Sequence, residues 1–377
     1  MRILHIIPSL RKGGAERLVL DICTRLNQIP EVEVKLVCFS DKNDYPEISI
    51  SDFIKIIPSY IQISIYKKNK LQIESLQDFI NEFRPDVIHT HLFEAEIVSR
   101  SIYYPLAKWV SHCHDNMRQF ENFSIKTIFS KQRITNYYEK NFLFRRYEKN
   151  GWTQFIAIGN DTKKYFEKTA KQYPVIKLLN AIDINRFYKQ KKFSHRTQIR
   201  ITNTGSFVNK KNQAFILDIA LELKLKNIDF KINFLGDGPN KLILLEKSKQ
   251  LGLENNLSFH GNVNNVEEFL WNSDIYLHTA TYEPLGLVLI EAMASGLPVI
   301  TLDGKGNRDL IEEGRNGYMI YEQNPQLFAD KIIAVWNDKP KYAEMSKYAQ
   351  EYAKQYDIKP YVEKLLALYQ EAIDEKQ

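Results

Sequence analysis

The segment TYEPLGLVLIEAMASGLPVI, residues 281–300, carries two carboxylates eight positions apart, Glu283 and Glu291. Pro284 and Gly286 follow the first, and an apolar helix-forming run carries the second. Gly296, Leu297 and Pro298 then stop the helix, and Val299 and Ile300 start a buried strand. A helix N-terminus exposes free N–H groups, here those of Leu285, Gly286, Leu287 and Val288, and about half a positive charge, which suits a phosphate. Carboxylates at its two ends suit sugar hydroxyls. The segment therefore reads as a seat for a sugar nucleotide. A glycosidase pair fits poorly. Eight residues of unbroken helix would hold the acids about 12 Å apart, beyond the ~5–9.5 Å of paired catalytic carboxyls.

Other residues could serve the same ligand. Lys211 opens a helix and can neutralise a leaving diphosphate, where charge grows in the transition state. Gly13 and Gly14 form a turn whose N–H groups can approach a phosphate with no side chain in the way. His114 ends a strand beside Asp115 and is a candidate to face a ligand. His89 and His91 are expected to face opposite sides of their strand and so to be structural. Asp115 is the only obvious carboxylate beside these histidines, and no D-x-D occurs, so no metal site is expected.

These residues need elements to position them. Short apolar runs at 2–8, 32–39, 86–91, 109–114 and 153–158 read as buried strands, and periodic stretches at 15–27 and 71–83 read as helices. The pattern restarts with strands at 199–204, 230–235, 257–259 and 274–278, separated by helices at 212–225, 241–251 and 263–271. Such alternation predicts an α/β chain with parallel, doubly wound sheets. In these sheets ligands sit beyond the carboxyl ends of the strands, where Gly13, Gly14 and His114 fall. The basic, aperiodic stretch 185–197 is the expected linker. The expected domains are 1–184 and 198–355, two Rossmann-like sheets facing a cleft, with a C-terminal helix at 356–377 returning to the first.

Length and composition agree with two domains. The chain has 377 residues, 44% of them apolar and 26% charged, with a net charge of +6. That charge is too small and too dispersed for a nucleic-acid binder. Cys23, Cys38 and Cys113 form no C-x-x-C and suit a reducing compartment. The first strand is too short for a signal-peptide core, and no run approaches the ~20 apolar residues of a membrane span.

In order along the chain, these motifs resemble retaining glycosyltransferases of the GT-B architecture, family 4. Glu283 and Glu291 match the E-x7-E signature. Gly13-Gly14-Ala15-Glu16-Arg17 matches the N-terminal glycine loop, and Ser111 to Asp115 matches the strand bearing the cleft histidine, His114. Asn180-Ala181-Ile182-Asp183 resembles the N-G-I-D segment, Lys211-Asn212 the phosphate lysine, and Gly236-Asp237-Gly238-Pro239 the G-D-G-P turn. Three positions depart from the pattern. Gly205-Ser206 stands where Gly-Arg is usual, so an arginine that grips the diphosphate is missing, and Arg308 or Lys210 is a candidate replacement. Ala181 and Gly159 stand where glycine and serine are usual.

The resemblance implies transfer of a hexose-type sugar, with retention and without metal or cofactor, from a UDP- or GDP-linked donor to a glycan or lipid-linked hydroxyl. Bacterial surface polysaccharide synthesis in the cytoplasm is the implied setting. It places the donor sugar on Glu283, the ribose on Glu291, the diphosphate on Lys211 and the glycine loop, and the hexose near His114. A sugar-nucleotide epimerase of the same architecture and a catalytically weak scaffold of a polysaccharide-assembly complex are the alternatives. Residues 117–150 hold eight basic against three acidic residues with interleaved aromatics, which suits a peripheral contact with anionic lipid on the inner membrane face.

Overall fold

The computed structural model describes residues 1–45, 53–64, 68–190 and 197–375. Two compact units emerge: Met1–Asn180 with Ile358–Gln377, and Ala181–Asp357. The expected linker at 185–197 is therefore not where the chain divides. Its beginning forms a helical turn, Ile184–Phe187, that belongs to the second unit. Arg186 pairs with Glu267 at 3.0 Å, and the Trp271 indole N–H donates to the Phe187 carbonyl at 2.7 Å. Residues 191–196 of that stretch lie outside the described residues.

Among the described residues the first unit carries nine strands. They are β1 (Arg2–Ile7), β2 (Glu33–Cys38), β3 (Ile54–Ile56), β4 (Tyr60–Gln62), β5 (Lys70–Gln72), β6 (Val87–His91), β7 (Lys108–Cys113), β8 (Thr153–Ala157) and β9 (Val175–Lys177). The short β4 and β5 pair antiparallel with each other. The other seven form one sheet in the order β3-β2-β1-β6-β7-β8-β9, with parallel pairings. Near-continuous burial along β1, β6 and β7 follows from helices covering both faces of a parallel sheet. The C-terminal helix Ile358–Asp374 packs on the helix Gly14–Leu26 and on β7. It does so through one stripe: Tyr361, Val362, Leu365 and Tyr369 are buried at helical spacing.

The second unit carries a six-stranded sheet. Its strands are β10 (Ile199–Thr204), β11 (Phe230–Leu235), β12 (Leu257–Gly261), β13 (Ile275–His278), β14 (Val299–Leu302) and β15 (Gly317–Ile320). They run in the order β12-β11-β10-β13-β14-β15, with parallel pairings. The core joins Ile201, Ile232, Ile275, Leu277 and Ile300 of the sheet to Ile216, Ile219, Ala220 and Leu223 of the helix Gln213–Leu225.

Both sheets reverse their strand order once, between β1 and β6 in the first unit and between β10 and β13 in the second. Loops leaving neighbouring strands at such a point diverge to opposite faces and leave a crevice at the carboxyl ends. The candidate residues of each unit gather there.

Candidate functional site

In the second unit the site is built by the loops after β10, β13 and β14. The loop after β10 turns through Gly205, at φ +147°, and carries Lys211 to the start of the helix Gln213–Leu225. It fits closely against the Gly236–Pro239 turn. A Cβ on Gly236 would stand 2.2 Å from the Gly205 carbonyl oxygen, and one on Gly238 would stand 2.6 Å from that of Phe207. Glycine is required because the two backbones touch. The loop after β13 is tied to the Lys211 loop: Thr281 N–H donates to the Lys210 carbonyl at 2.9 Å, and the Thr279 hydroxyl donates to that of Asn212 at 2.9 Å.

These ties bring Lys211 and Glu283 into direct contact, ammonium to carboxylate. His278, the last residue of β13, approaches the same carboxylate oxygen with Nε2 at 3.1 Å. Glu283 is buried, with only 7% of its surface exposed. Burial alone would raise its pKa, but Lys211 and His278 together outweigh burial and hold it down to about 2. Burial in turn lowers the pKa of His278, against the pull of Glu283. The carboxylate is thus an ionised acceptor clamped from two sides.

The loop after β14 closes over the Glu283 backbone. Glu283 N–H donates to the Gly304 carbonyl at 2.8 Å, and Glu283 forms a parallel bridge with Lys305. Gly306 lies so near that a Cβ would stand 2.0 Å from the Pro284 carbonyl oxygen. Asn307 is fully buried and holds this turn together. Its side chain accepts from Gly304 N–H at 2.9 Å and donates to Thr301 and Leu302.

Beyond Glu283 the chain turns at Gly286, at φ +102°, into the helix Leu287–Ala294. The helix begins four residues after Glu283, so the two acids do not share one unbroken helix. Among the described residues the N–H groups of Leu285, Gly286, Leu287 and Val288 have no backbone acceptor. Glu291 sits half-buried on the helix, close enough to Tyr276 to reinforce the effect of burial in keeping that phenol protonated. Lys211, Glu283, Glu291 and the 285–288 amides are therefore brought together in one unit. Arg308 is committed elsewhere: its guanidinium grips both oxygens of Asp303, with Nε to Oδ1 at 2.8 Å.

The first unit holds the other candidates. Gly13 precedes the helix Gly14–Leu26, but its N–H donates to the Tyr45 hydroxyl at 3.0 Å, and that hydroxyl donates back to the Gly13 carbonyl at 2.9 Å. A Cβ on Gly13 would stand 2.1 Å from Glu16 Oε2. The Gly13 amide is thus engaged within the protein, and Gly14 N–H is the first of the helix.

His114 belongs to a larger array. His5 on β1, His89 and His91 on β6, His112 on β7 and His114 just beyond it lie on one face of the sheet. Rings stack at 4.3 Å for His89 and His91 and at 4.2 Å for His112 and His114. This corrects the expectation that His89 and His91 face opposite sides: side chains alternate along a strand, so residues two apart share a face. A hydrogen-bonded chain links His5 Nδ1 to His91 Nε2 at 2.9 Å and His91 Nδ1 to His114 Nε2 at 3.0 Å. His112 Nε2 meets Asn180 Oδ1 at 3.0 Å, and His89 Nδ1 meets the Tyr369 hydroxyl of the C-terminal helix. Burial pushes the pKa of His5 down to about 3 and of His112 down to about 4, and those of His89, His91 and His114 well below their ordinary value. The array is neutral at pH 7.

Two histidine triplets, His5/His89/His91 and His91/His112/His114, bring nitrogens within 4.8 Å of one another. Within them His89 and His91 stack within 27° and His112 and His114 within 10°, while His5–His89, His91–His112 and His91–His114 are tilted by 36–37°.

His278 was not singled out by the sequence reasoning, nor was the turn at 304–307. The rule that selected His114, a polar residue at the carboxyl end of a parallel strand, also selects His278.

Comparison with known proteins places these features in a family. Residues 12–186 match the family described as Glycosyltransferase Family 4, and residues 184–352 match Glycosyl transferases group 1. The chain is 27% identical over 320 residues to a Bacillus subtilis (strain 168) protein named as a glycosyltransferase, EpsF, covering 80% of this chain and 79% of the relative. It is 24% identical over 348 residues to the Staphylococcus aureus capsular polysaccharide biosynthesis glycosyltransferase CapH, covering 88% and 90%. The crystal structure of Anabaena Alr3699/HepE in complex with UDP-glucose superposes with a TM-score of 0.78 at 20% identity, covering 98% of this chain and all of that one. The two family matches together run from residue 12 to residue 352, and the chain belongs to the group 1 glycosyltransferases of the GT-B fold.

Proposed function

We propose that the protein transfers a hexose-type sugar, with retention and without a metal, from a UDP- or GDP-linked donor to a hydroxyl of a glycan or lipid-linked oligosaccharide in bacterial surface polysaccharide synthesis. One observation carries the reading. An ionised Glu283 is clamped by Lys211 and His278 next to the 285–288 amides, at the point where the sheet order reverses. A buried carboxylate accepts hydrogen bonds from sugar hydroxyls. The amides and the helix N-terminus stabilise phosphate charge. Glu291, farther along the helix, is the candidate for the ribose. Lys211 neutralises the diphosphate as it leaves, and the leaving phosphate takes the acceptor proton, so no side chain need act as general base. His114 and Gly14 on the first unit are the candidate contacts for the hexose and phosphate.

The names of the relatives support the setting. CapH is named for capsular polysaccharide biosynthesis, and the HepE structure holds UDP-glucose. Among the described residues no helix is long and apolar enough to cross a membrane. The segment 117–150 exposes Phe123, Ile125, Ile128 and Phe129 close to the helix Lys131–Asn150, which carries Arg145, Arg146 and Lys149. Exposed apolar side chains and a basic helix in one segment suit the surface of an anionic bilayer on the cytoplasmic side.

A thermal-shift panel of UDP-, GDP- and other sugar nucleotides tests the reading. Stabilisation by a UDP- or GDP-sugar is expected, followed by transfer to an acceptor with the anomeric configuration kept. Turnover of the donor without any acceptor would point to an epimerase instead. Binding to anionic vesicles that survives neutralisation of Arg145, Arg146 and Lys149 would remove the support for a contact through this segment.

A further inference from the structure

Lys305 occupies a backbone conformation that its residue type disfavours. It lies at φ +72° and ψ −66°, the centre of a γ-turn closed by Gly306 N–H donating to the Gly304 carbonyl at 3.0 Å. For a residue with a Cβ this is a strained position. The surroundings enforce it. The buried Asn307 holds Gly304 from one side, Lys305 N–H donates to Asp303 Oδ1 at 3.0 Å, and Gly306 is pressed against Pro284. Glycine would adopt the same turn without strain, so the lysine side chain is retained at a cost in stability.

The Lys305 backbone stands beside that of Glu283. The two residues are bridge partners, and Lys211 contacts the Glu283 carboxylate. The lysine arm is exposed, and among the described residues its ammonium has no ion-pair partner within 4 Å. Its neighbour Arg308, by contrast, is held by Asp303. Ser206 leaves the loop after β10 with a hydroxyl where a cation is usual in the family. Lys211 is partly neutralised by Glu283, so a further cation would strengthen the hold on a dianionic diphosphate.

We infer that Lys305 is a second cation of the seat, contacting an oxyanion of the bound ligand next to Glu283. This rests on the sugar-nucleotide reading above. Two sources of that oxyanion share the chemistry: the diphosphate of the donor, or an acid group on its sugar. The strained turn fixes where the lysine side chain leaves the Glu283 backbone.

Isothermal titration of the full-length protein with UDP, GDP, UDP-glucose and UDP-glucuronate tests the inference. Lys305→Met removes the charge and keeps a side chain of similar length, Lys305→Arg keeps the charge, and Lys305→Gly removes both charge and strain. Loss of a charge-assisted contact is expected to weaken binding about tenfold or more in Lys305→Met and Lys305→Gly, with Lys305→Arg within a few-fold of wild type. Weaker binding of UDP or GDP themselves assigns the diphosphate. A loss confined to UDP-glucuronate assigns a sugar acid. Lys305→Gly is expected to melt at a higher temperature than wild type while binding less tightly, which separates the contact from a folding defect. Unchanged affinity for all four ligands in Lys305→Met overturns the inference. If Lys211→Ala still weakens binding in that case, the sugar-nucleotide reading stands without it. If wild type binds none of the four, both fall.

Discussion

Acidification should unfold the first unit well before the second. Four imidazoles of the array are fully buried and His114 is partly so; burial favours the neutral form of all five, and the unfolded chain would hold each near pKa 6.5. Their folded pKa values are depressed, so the stability they contribute is present above pH 6.5 and is lost as pH falls toward the folded values. Each neutral imidazole then costs about 1.4 kcal/mol per pH unit, because the unfolded state binds a proton that the folded state does not. At pH 5 the loss is about 2 kcal/mol for each of His5 and His112, about 4 kcal/mol together, and His89, His91 and His114 act in the same direction. A domain is stable by roughly 5–15 kcal/mol. The first unit should therefore lose a large part of its stability near pH 5. In the second unit His278 is the one buried histidine among the described residues, and Glu283, held down to about 2, keeps its contribution until pH falls below the ordinary carboxylate range. Hydrogen exchange at pH 7.5 and pH 5, corrected for intrinsic rates, reads both units in one sample. Amides of β1, β6 and β7 should lose protection by several orders of magnitude, while those of β10 and β13 lose little. A loss in β6 of no more than about 30-fold, the effect of a single histidine, would refute a collectively neutral array.

Three further outcomes follow from contacts described above. Lys211→Ala should lower kcat/KM by roughly 100-fold or more in steady-state transfer assays, as loss of one charge-stabilising donor does; a near-normal rate would mean that the diphosphate charge is met elsewhere. Gly306→Ala forces a Cβ to within 2.0 Å of the Pro284 carbonyl oxygen. Overpacking of this kind costs about 1–3 kcal/mol, so urea melts should shift down and the Glu283 loop should exchange faster, and an unchanged midpoint would show that the turn yields freely. Arg100 is fully buried, pairs with Glu96 at 2.9 Å, donates to Thr153 and Ser111, and lies 4.5 Å from the ring centres of both Trp109 and Tyr147. Arg100→Met should destabilise by about 3–5 kcal/mol because it strands the Glu96 charge, and adding Glu96→Gln should recover a large part in denaturant titrations.

The parts of the fold that were legible in the sequence are those where local pattern and tertiary role coincide. Apolar runs marked β1 and β13, because strands buried on both faces of a parallel sheet are mostly apolar, though β1 also buries His5 in its middle. The pair Glu283 and Glu291 was legible because a proline and glycine between them force a loop before the helix. The boundary near 185–197 misled because a polar, basic stretch is what both a linker and a solvated helical turn look like. Ile184–Phe187 is held by Trp271 and Glu267, distant partners that no local pattern announces. The histidine array needed only the alternation of a strand, applied with the right parity, to put His89 and His91 on one face. Its connection to His5 and His112 needed the strand order, which follows from the whole sheet.

Lys305 marks a different limit. Its residue type is ordinary and its neighbours Gly304 and Gly306 suggest only a turn. What singles it out is a backbone angle, and that angle is imposed by Asn307, Asp303 and Pro284 acting together. The same loop supplies the carbonyl that holds Glu283 N–H. A substitution that relaxes the turn therefore acts on two things at once: where the lysine charge stands and how firmly the Glu283 backbone is held. Lys305→Gly separates them, since glycine keeps the turn and its hydrogen bonds while removing the charge. A loss of ligand affinity in that variant belongs to the ammonium, and a gain in melting temperature measures the strain that the lysine imposes on the fold.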